Sequence, residues 1–291
     1  MKLKTLAIAI AMGAVPFAAQ ADLKIGGDIT VGYFNMNGTA GEVRENGSEI
    51  NIDASQKVGG TTFYGHTELD FQGTGSAAEF EEVRVGAKGR WGEFILGETD
   101  NGCDATDVGG TDEVWLAHTQ GGCMGSDENN VVYKRDFRRA TVAVSHNPNG
   151  TGNNNHYNAI GVKGKLGPVA ASLGYEKGDG IGANGGKNIA LGLDAEFGRF
   201  SVGMQASQFD PDTGSKRDAA GLNLGYKAGA NFFYGGFGRH EITGSTDKVK
   251  SWSVGYNRSV GSNTTLIVEA GKANTDTEDD VSYALGMKHA F

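Results

Sequence analysis

The chain has 291 residues, a net charge of −9 and a mean hydropathy of −0.36. The negative charge excludes a nucleic-acid-binding protein that depends on phosphate contacts. Its 48 glycines follow no three-residue period, which excludes collagen, and the apolar alternation between them argues against a disordered chain. The low hydropathy does not exclude a membrane barrel, because strands that alternate average to a polar value.

Residues 1–21 have the pattern of a secretory signal peptide. Two lysines precede an apolar run over residues 6–17, and residues 19–21 form a small-x-small cleavage site. A single transmembrane anchor is the alternative, but the apolar run is too short to span a bilayer. We predict that the signal is cleaved. Residues 22–291 should form one domain, because no linker, charge block or low-complexity tract divides them.

From residue 23 onwards, apolar residues alternate with polar or small residues in short runs. A period of two puts the apolar residues on one face of a β-strand. The first row contains Leu23, Ile25, Ile29, Val31 and Tyr33. A polar connection over 35–48 follows it, and similar rows continue along the whole chain, joined alternately by short turns and by longer polar connections.

These rows give sixteen predicted strands. Bacterial single-chain membrane barrels have an even number of strands, and sixteen leave room for an aqueous channel. Closing the sheet also removes the unpaired edges that lipid does not tolerate. A secreted β-sandwich or β-helix is the alternative, but sandwich strands need not carry aromatic residues at both ends.

Residues 281–291 form the last of these rows and end the chain. Tyr283, Leu285 and Met287 share one face with the terminal Phe291, and the opposite face is small and polar. Aromatic residues on both sides of an apolar band are typical of a strand between lipid and water. The sequence therefore predicts an all-β protein, a transmembrane antiparallel β-barrel whose last strand pairs with the row that begins at Leu23.

The longest connection, residues 99–129, follows the fifth strand. Loops of this length are uncommon and usually functional. This one contains the only two cysteines, Cys103 and Cys123. In an oxidising compartment they predict a disulfide within the loop, worth roughly 3 kcal/mol of constraint in the chain-entropy model. A metal-binding pair is the alternative, although no nearby cluster completes such a site.

The same connection is rich in carboxylates around Gly109 and Gly110. They belong to Asp104, Asp107, Asp112 and Glu113. An inward-folded loop would place them in the water path and narrow the barrel. An external loop would use them only for solubility. We predict the inward arrangement, which makes these four residues candidates for a pore constriction.

Strand parity aims a set of charged side chains of the first four strands into the barrel. They are Lys24, Asp28, Asp53, Lys57, His66, Glu68, Asp70, Glu82, Arg84 and Lys88. Acids slightly outnumber bases, and low-dielectric walls focus such a field and concentrate counter-ions. We predict a weakly cation-preferring pore. For most of these charges taken singly, ordinary solvation in the lumen is the alternative role.

Two further acidic segments lie in predicted external connections. Their candidate Ca²⁺ ligands are Asp210, Asp212, Asp279 and Asp280. A bound Ca²⁺ could bridge to anionic lipid such as lipopolysaccharide. Neither segment has a full EF-hand pattern, so surface solubility is the favoured interpretation and no resident cofactor is predicted.

The sequence shows no catalytic pattern. The six histidines are scattered, and neither HExxH nor GxSxG occurs. We therefore predict that the protein is not an enzyme.

These features resemble the general diffusion porins of Gram-negative bacteria. The signal peptide, the hairpin Gly-Arg-Trp-Gly-Glu-Phe-Ile-Leu-Gly at 89–97 and the terminal Phe291 match landmarks of that family in order and spacing. The hairpin resembles the segment that enters the family's third loop. The chain departs from the family at Glu98, where Arg or Gln is frequent, and at 109–110, where a Pro-Glu-Phe-Gly-Gly motif is reduced to two glycines. It is also short for the class.

The resemblance implies a 16-stranded homotrimer in the outer membrane, through which ions and small hydrophilic solutes diffuse passively. Size exclusion and electrostatic filtering would act between the third loop and the barrel wall. The resemblance also implies contact with lipid and lipopolysaccharide, and recognition of the C-terminal end by the barrel-assembly machinery. Two alternatives stay open: a substrate-selective channel of the same barrel type, and an outer-membrane barrel hydrolase.

Overall fold

The computed structural model describes residues 22–36, 40–71, 79–109, 116, 121–124, 128–148, 156–179, 185–245, 248–274 and 281–291. In these residues the chain forms a single antiparallel sheet that closes on itself. None of the helices found there is long and apolar enough to cross a membrane. The predicted signal peptide lies outside the described residues, so its cleavage stays a prediction.

The sheet contains seventeen strand segments in the described part of the chain. They are β1 (Asp22–Asn35), β2 (Glu42–Glu45), β3 (Ser48–Val58), β4 (Thr61–Phe71), β5 (Glu79–Gly89), β6 (Gly92–Thr99), β7 (Glu128–Asp136), β8 (Ala140–Asn147), β9 (Tyr157–Leu166), β10 (Val169–Gly178), β11 (Gly186–Phe197), β12 (Phe200–Pro211), β13 (Arg217–Ala228), β14 (Asn231–Ile242), β15 (Lys248–Val260), β16 (Thr264–Asn274) and β17 (Ser282–Ala290).

Segments β2 and β3 are two parts of one barrel strand. Both pair with β1, and only Asn46 and Gly47 separate them. The barrel therefore has the sixteen strands that the alternation predicts. The predicted polar connection over 35–48 is wrong in one respect, because it contains β2. This segment carries Val43 among charged residues, so no apolar alternation marks it as a strand.

The apolar residues of each strand face outward. Leu23 and Ile25 expose 64% and 63% of their surface, whereas Asp28 and Thr30 on the opposite face of β1 expose 5% and 2%. A soluble protein shows the reverse pattern, with the apolar face in a core. The outward apolar band and the polar interior match a barrel that stands in lipid and holds water.

Outward aromatic residues form contacts near the strand ends. The rings of Phe200 and Tyr226 lie 4.8 Å apart, and those of Phe233 and Tyr256 lie 5.1 Å apart. Each pair joins neighbouring strands close to a short turn. Aromatic girdles of this kind occupy the interfaces between lipid and water in membrane barrels.

The first and last strands close the barrel. In the register of β1 with β17, Asp28 lies opposite Ala290. The backbone N–H of Phe291 donates to the carbonyl oxygen of Gly27 over 3.0 Å, and the N–H of Gly27 donates to the carbonyl oxygen of Phe291 over 3.3 Å. The predicted pairing of the terminal strand with the first row is confirmed.

Candidate functional site

The disulfide between Cys103 and Cys123 is formed, with the two Cα atoms 5.8 Å apart. The prediction of a bridge within the loop is confirmed, and the alternative of a free metal-binding pair is wrong. The bridge lies in the connection between β6 and β7, which we call the lumen loop (residues 100–127). It ties together the two stems of this loop.

The described part of the lumen loop lies inside the barrel. The N–H of Gly102 donates to Oγ of Ser145 over 2.8 Å, and the side-chain amide of Asn223 donates to the carbonyl oxygen of Gly109 over 3.3 Å. Ser145 lies next to the outward Val144, and Asn223 lies between the outward Leu222 and Leu224, so both belong to the inner face. The loop therefore follows the inner wall from β8 to β13, as an inward-folded loop requires.

Glycines in the wall make room for the loop backbone. The glycine track consists of Gly161, Gly174, Gly192 and Gly203, one on each of the four strands β9 to β12. A Cβ at Gly174 would lie closer than 3.0 Å to the sulfur of Cys103, and one at Gly192 would lie equally close to a backbone oxygen of the loop. The lack of side chains at these four positions lets the loop backbone lie directly against the wall.

A buried carboxylate clamps both stems of the lumen loop. Glu176 on β10 exposes none of its surface. Its Oε1 accepts a hydrogen bond from the side-chain amide of Asn101 over 2.8 Å. Its Oε2 accepts from the N–H of Met124 and from the side-chain amide of Asn188, each over 2.7 Å. One side chain therefore holds the residues that flank the disulfide on both sides.

A second buried carboxylate holds the loop on the opposite side of the barrel. Oε1 of Glu269 on β16 accepts from the N–H of Leu116 over 2.9 Å, and its Oε2 accepts from the hydroxyl of Tyr234 over 2.8 Å. Leu116 also packs against Phe34 and Ala284. The loop therefore reaches from the β8–β13 wall to the wall formed by β16, β17 and β1.

The predicted loop carboxylates have different places. Asp104 begins a single 3₁₀ turn, Asp104–Thr106. Asp112 and Glu113 lie outside the described residues. These three stay predictions as constriction residues.

Asp107 contacts the wall directly. Its Oδ1 accepts from the hydroxyl of Ser172 over 3.1 Å, and its Oδ2 accepts from the side-chain amide of Gln205 over 2.9 Å. Burial raises the pKa of the Asp107 carboxyl, and hydrogen bonds from the N–H of Val108 and from Ser172 oppose that rise. These donors are all neutral, so they position the carboxylate without cancelling its charge.

The inner face of β3 to β7, which we call the open wall, carries the charged side chains. Nδ1 of His66 lies 2.8 Å from Oδ1 of Asp53, and its Nε2 lies 3.1 Å from Oε2 of Glu82. Arg84 forms an ion pair with the same Oε2 of Glu82. Four of the predicted pore-wall residues are therefore in one contiguous cluster.

A second group on the open wall surrounds Glu93. Its carboxylate accepts from the hydroxyl of Tyr64 over 2.8 Å and lies 3.2 Å from Nζ of Lys134 and 3.5 Å from Nζ of Lys88. Glu93 and Lys134 are not among the residues predicted from strand parity. Bases and acids alternate closely along this wall, so much of its charge is paired locally.

The prediction of pore-wall residues needs correction at two positions, because both are largely buried. Asp28 and Asp70 face inward, but they expose only 5% and 8% of their surface. Asp28 pairs with Lys288 over 2.6 Å. Lys288 lies over the carboxylate of Asp28, and low exposure keeps both carboxylates away from an open path. Lys24 and Lys57, in contrast, are exposed near the rim where β1 begins.

The candidate Ca²⁺ ligands are not assembled into a site in the described residues. Nζ of Lys187 and Nζ of Lys216 lie 3.1 Å and 3.5 Å from Oδ2 of Asp210. Asp212 lies in the bend that follows β12, and Asp279 and Asp280 lie outside the described residues. Two ammonium groups thus compete with any cation at Asp210, and calcium binding stays an untested prediction.

A cavity of about 820 Å³ lies along the inner faces of β11 to β17. Its lining includes amides, charged groups and aromatic rings, among them Asn223, Lys227, Phe232, Tyr234 and Asn257. The rings of Phe232 and Tyr234 stack with their centroids 5.7 Å apart. Such a mixed polar lining fits a passage for hydrated solutes better than a closed apolar pocket.

The two carboxylates that hold the loop are not among the residues predicted from the sequence. Glu176 follows the outward Tyr175, and Glu269 follows the outward Val268, so parity places both carboxylates inside the barrel. That signal was present. Their partners in the loop could not be read from the sequence, because the side-chain amide of Asn101 and the N–H groups of Met124 and Leu116 belong to a segment without periodicity.

A model of the Gram-negative porin family matches residues 5–278. Solved structures share the fold. OmpT of Vibrio cholerae in its trimer form is 13% identical, with a TM-score of 0.77 over 94% of this chain and 100% of that chain. The anion-selective porin from Comamonas acidovorans is 18% identical, with a TM-score of 0.71 over 94% and 100% of the two chains. A mutant of the Rh. blastica porin is 12% identical, with a TM-score of 0.70 over 93% and 100%. No curated protein sequence matches significantly.

Proposed function

Because this chain belongs to the Gram-negative porin family and is an outer-membrane porin, we propose that it forms a water-filled channel for passive diffusion of ions and small hydrophilic solutes. One observation carries the proposal. The lumen loop lies inside a closed barrel and leaves the charged open wall uncovered by its described residues. A loop in this place limits the size of a passing solute, and the wall acts on its charge.

We propose a weak preference for cations. On the open wall, Arg84 pairs with Glu82, and two lysines flank Glu93. Glu68 lies beside two further carboxylates, those of Glu49 and Glu82, and Asp107 on the loop is held by neutral donors. Acids therefore exceed bases among these residues by a small margin, and a low-dielectric wall strengthens their field. The Comamonas relative is named as anion-selective, so selectivity differs within this fold.

We propose that three copies assemble into a homotrimer in contact with outer-membrane lipid and lipopolysaccharide. The OmpT structure is described as a trimer form, which supports this state by analogy. An unheated sample should migrate on a gel as a detergent-resistant oligomer that heating converts to monomer. A sample that migrates only as monomer without heating would contradict the trimer.

We further propose that the barrel-assembly machinery recognises the C-terminal strand.

We also propose that the protein is not an enzyme. Among the described residues, Glu176 and Glu269 hold the loop, and charged side chains of the open wall such as Glu82 and Arg84 pair with one another.

A second candidate is a substrate-selective channel. The stacked Phe232 and Tyr234 in the cavity lining favour it, because aromatic faces can bind the apolar face of a sugar ring.

Conductance of the purified protein in planar bilayers tests these alternatives. We expect discrete steps that scale with salt concentration and a reversal potential of cation sign in a KCl gradient. A reversal potential of anion sign would overturn the cation preference. Current that saturates with one solute, and that this solute blocks competitively, would favour the substrate-selective channel. An absence of discrete steps would overturn the channel itself.

A further inference from the structure

We propose that His66, Glu68 and Glu82 form a binding site for a divalent transition-metal ion, such as Zn²⁺, on the open wall. One ligand atom of each residue lies within 4.8 Å of the others. Nε2 of His66 lies 3.1 Å from Oε2 of Glu82 and 3.9 Å from Oε2 of Glu68. Bonds of about 2.0–2.2 Å to one ion fit between donor atoms at such separations after small side-chain movements.

The orientation of the imidazole supports a metal ligand. Nδ1 of His66 lies 2.8 Å from Oδ1 of Asp53, which places the ring proton on Nδ1 in the neutral form. Nε2 then carries an unshared electron pair that can bind a metal ion. It is buried and has no hydrogen-bond partner of acceptable geometry. A carboxylate that orients a histidine through its other nitrogen is the usual outer partner of a zinc-binding imidazole.

The charges around Nε2 point to a cation. A neutral imidazole presents its lone pair to two carboxylates, and these three electron-rich atoms repel one another. A positive charge between them removes the repulsion. Arg84 neutralises part of the charge on Glu82. A proton on Nε2 or a metal ion supplies the further positive charge between Nε2 and Glu68. The three side chains keep limited contact with lumen water, because they expose 11%, 18% and 14% of their surface.

The donor set selects the class of metal. One imidazole nitrogen and two carboxylate oxygens suit Zn²⁺ and neighbouring first-row ions, with water completing the coordination. Ca²⁺ and Mg²⁺ prefer sites made of oxygen alone. The site should therefore distinguish Zn²⁺ from Mg²⁺, which a general excess of negative charge would not do.

Arg84 sets the strength of the site. Its guanidinium pairs with the same Oε2 of Glu82 that faces Nε2, and it also donates to the hydroxyl of Thr99 over 3.4 Å. A metal ion must displace this guanidinium from Glu82. Binding is therefore weakened and exchange made faster, which suits an ion that visits the lumen wall rather than a permanent structural ion.

Calorimetric titration of the refolded full chain in detergent with ZnCl₂ tests the proposal. We expect saturable Zn²⁺ binding. It should persist in about a 100-fold excess of Mg²⁺ over Zn²⁺, because an imidazole ligand favours Zn²⁺ over Mg²⁺ by a factor on this order. His66→Ala should weaken binding about tenfold or more, and Asp53→Asn about 10–100-fold. Arg84→Gln should strengthen it. His240→Ala, which removes another inward histidine on β14, should leave it unchanged.

Any one of four results would overturn the site. The intact chain binds no Zn²⁺ saturably; His66→Ala and Glu82→Gln bind Zn²⁺ as tightly as the intact chain does; Arg84→Gln binds it more weakly; or Mg²⁺ competes as well as Zn²⁺ itself. Heat-modifiable migration confirms that each variant is folded, and Glu82→Gln replaces His66→Ala if the latter does not fold. The binding readout does not depend on the proposed channel function. If Zn²⁺ binds but the protein conducts no current, the site stands and the channel fails. In a conducting protein, Zn²⁺ should reduce the current of the intact chain more than that of His66→Ala.

Discussion

The two sides of the lumen are built in opposite ways. The open wall on β3 to β7 projects His66, Glu82 and Arg84 into water, where they pair with one another. The covered wall on β8 to β13 has small residues, amides and the buried carboxylate of Glu176, and the lumen loop rests on it. Both walls belong to the inner face of the same sheet and have the same alternation. The open wall can interact with what passes through the lumen, and the covered wall determines where the loop lies.

This difference separates two kinds of sensitivity. Side chains of the covered wall contact buried loop backbone, so a change there alters the position and stability of the loop. Side chains of the open wall expose between 10% and 55% of their surface to the lumen, so water and salt screen their ion pairs only in part. A change there should alter selectivity with little effect on folding. The following substitutions test this contrast, beginning with the largest expected effect.

Glu176→Ala should have the largest effect, since it removes the acceptor that holds both loop stems. Hydrogen bonds to a charged group contribute about 1.5–3 kcal/mol each, and a loss of about 3–5 kcal/mol is expected when buried donors are left unpaired. The urea midpoint in detergent should fall and the current noise of the open channel should rise. Glu196→Ala, which removes a lumen carboxylate at the end of β11, is the control. Unchanged noise and an unchanged midpoint in Glu176→Ala would mean that the clamp does not hold the loop.

Gly192→Ala should have the next largest effect, because its new Cβ would clash with the backbone oxygen of Val108. Overpacking of this kind costs about 1–3 kcal/mol. The loop should move away from the wall, which changes the single-channel conductance and exposes the loop to proteases. Gly65→Ala is the matched control, because its Cβ would lie 3.9 Å from the nearest atom, the carbonyl oxygen of Arg84. Equal behaviour of the two variants would contradict the glycine track.

Lys134→Gln on the open wall should change selectivity more than stability. Removing one of the two ammonium groups beside the buried Glu93 should cost about 1 kcal/mol, because Lys134 is itself partly exposed and Lys88 stays beside the carboxylate. The reversal potential in a KCl gradient should shift further in the cation direction. Lys57→Gln removes the same charge at the rim and should shift it less. A large fall in the urea midpoint of Lys134→Gln would show that the open wall is structural after all.

The smallest effect should come from the titration of Asp107. Burial raises the pKa of this carboxyl, so it takes up a proton at a higher pH than an ordinary aspartate. The folded protein then binds more protons than the unfolded chain just above the ordinary value, and stability in that window increases as pH falls. Cation preference should weaken over the same window. Asp107→Asn should lack this component of the pH dependence. An identical pH profile in the variant would rule out Asp107 as its source.

The barrel was predictable from the sequence because strand alternation is a local signal. The rows from Leu23 to Phe291 give the strand number and the outward face directly. Segment β2 was missed because charged residues surround Val43. The disulfide followed from there being two cysteines in one loop.

The interior of the lumen was only partly predictable. Parity identified His66, Glu82 and Arg84 as inward residues, but it does not give their distances. Glu176 was also inward by parity, yet its role depends on Asn101 and Met124, which belong to an irregular loop. Long-range contacts of such a loop depend on tertiary packing, and no local periodicity encodes them.

The seam between β1 and β17 has a consequence for biogenesis. It joins Asp28 to Ala290, two positions at opposite ends of the polypeptide. Contacts with such a large sequence separation form slowly, because the whole intervening chain must first be brought together. The ring cannot close before the last strand has been delivered. Until then, both outer strands present unpaired backbone groups, so the incomplete barrel needs protection from aggregation during that interval.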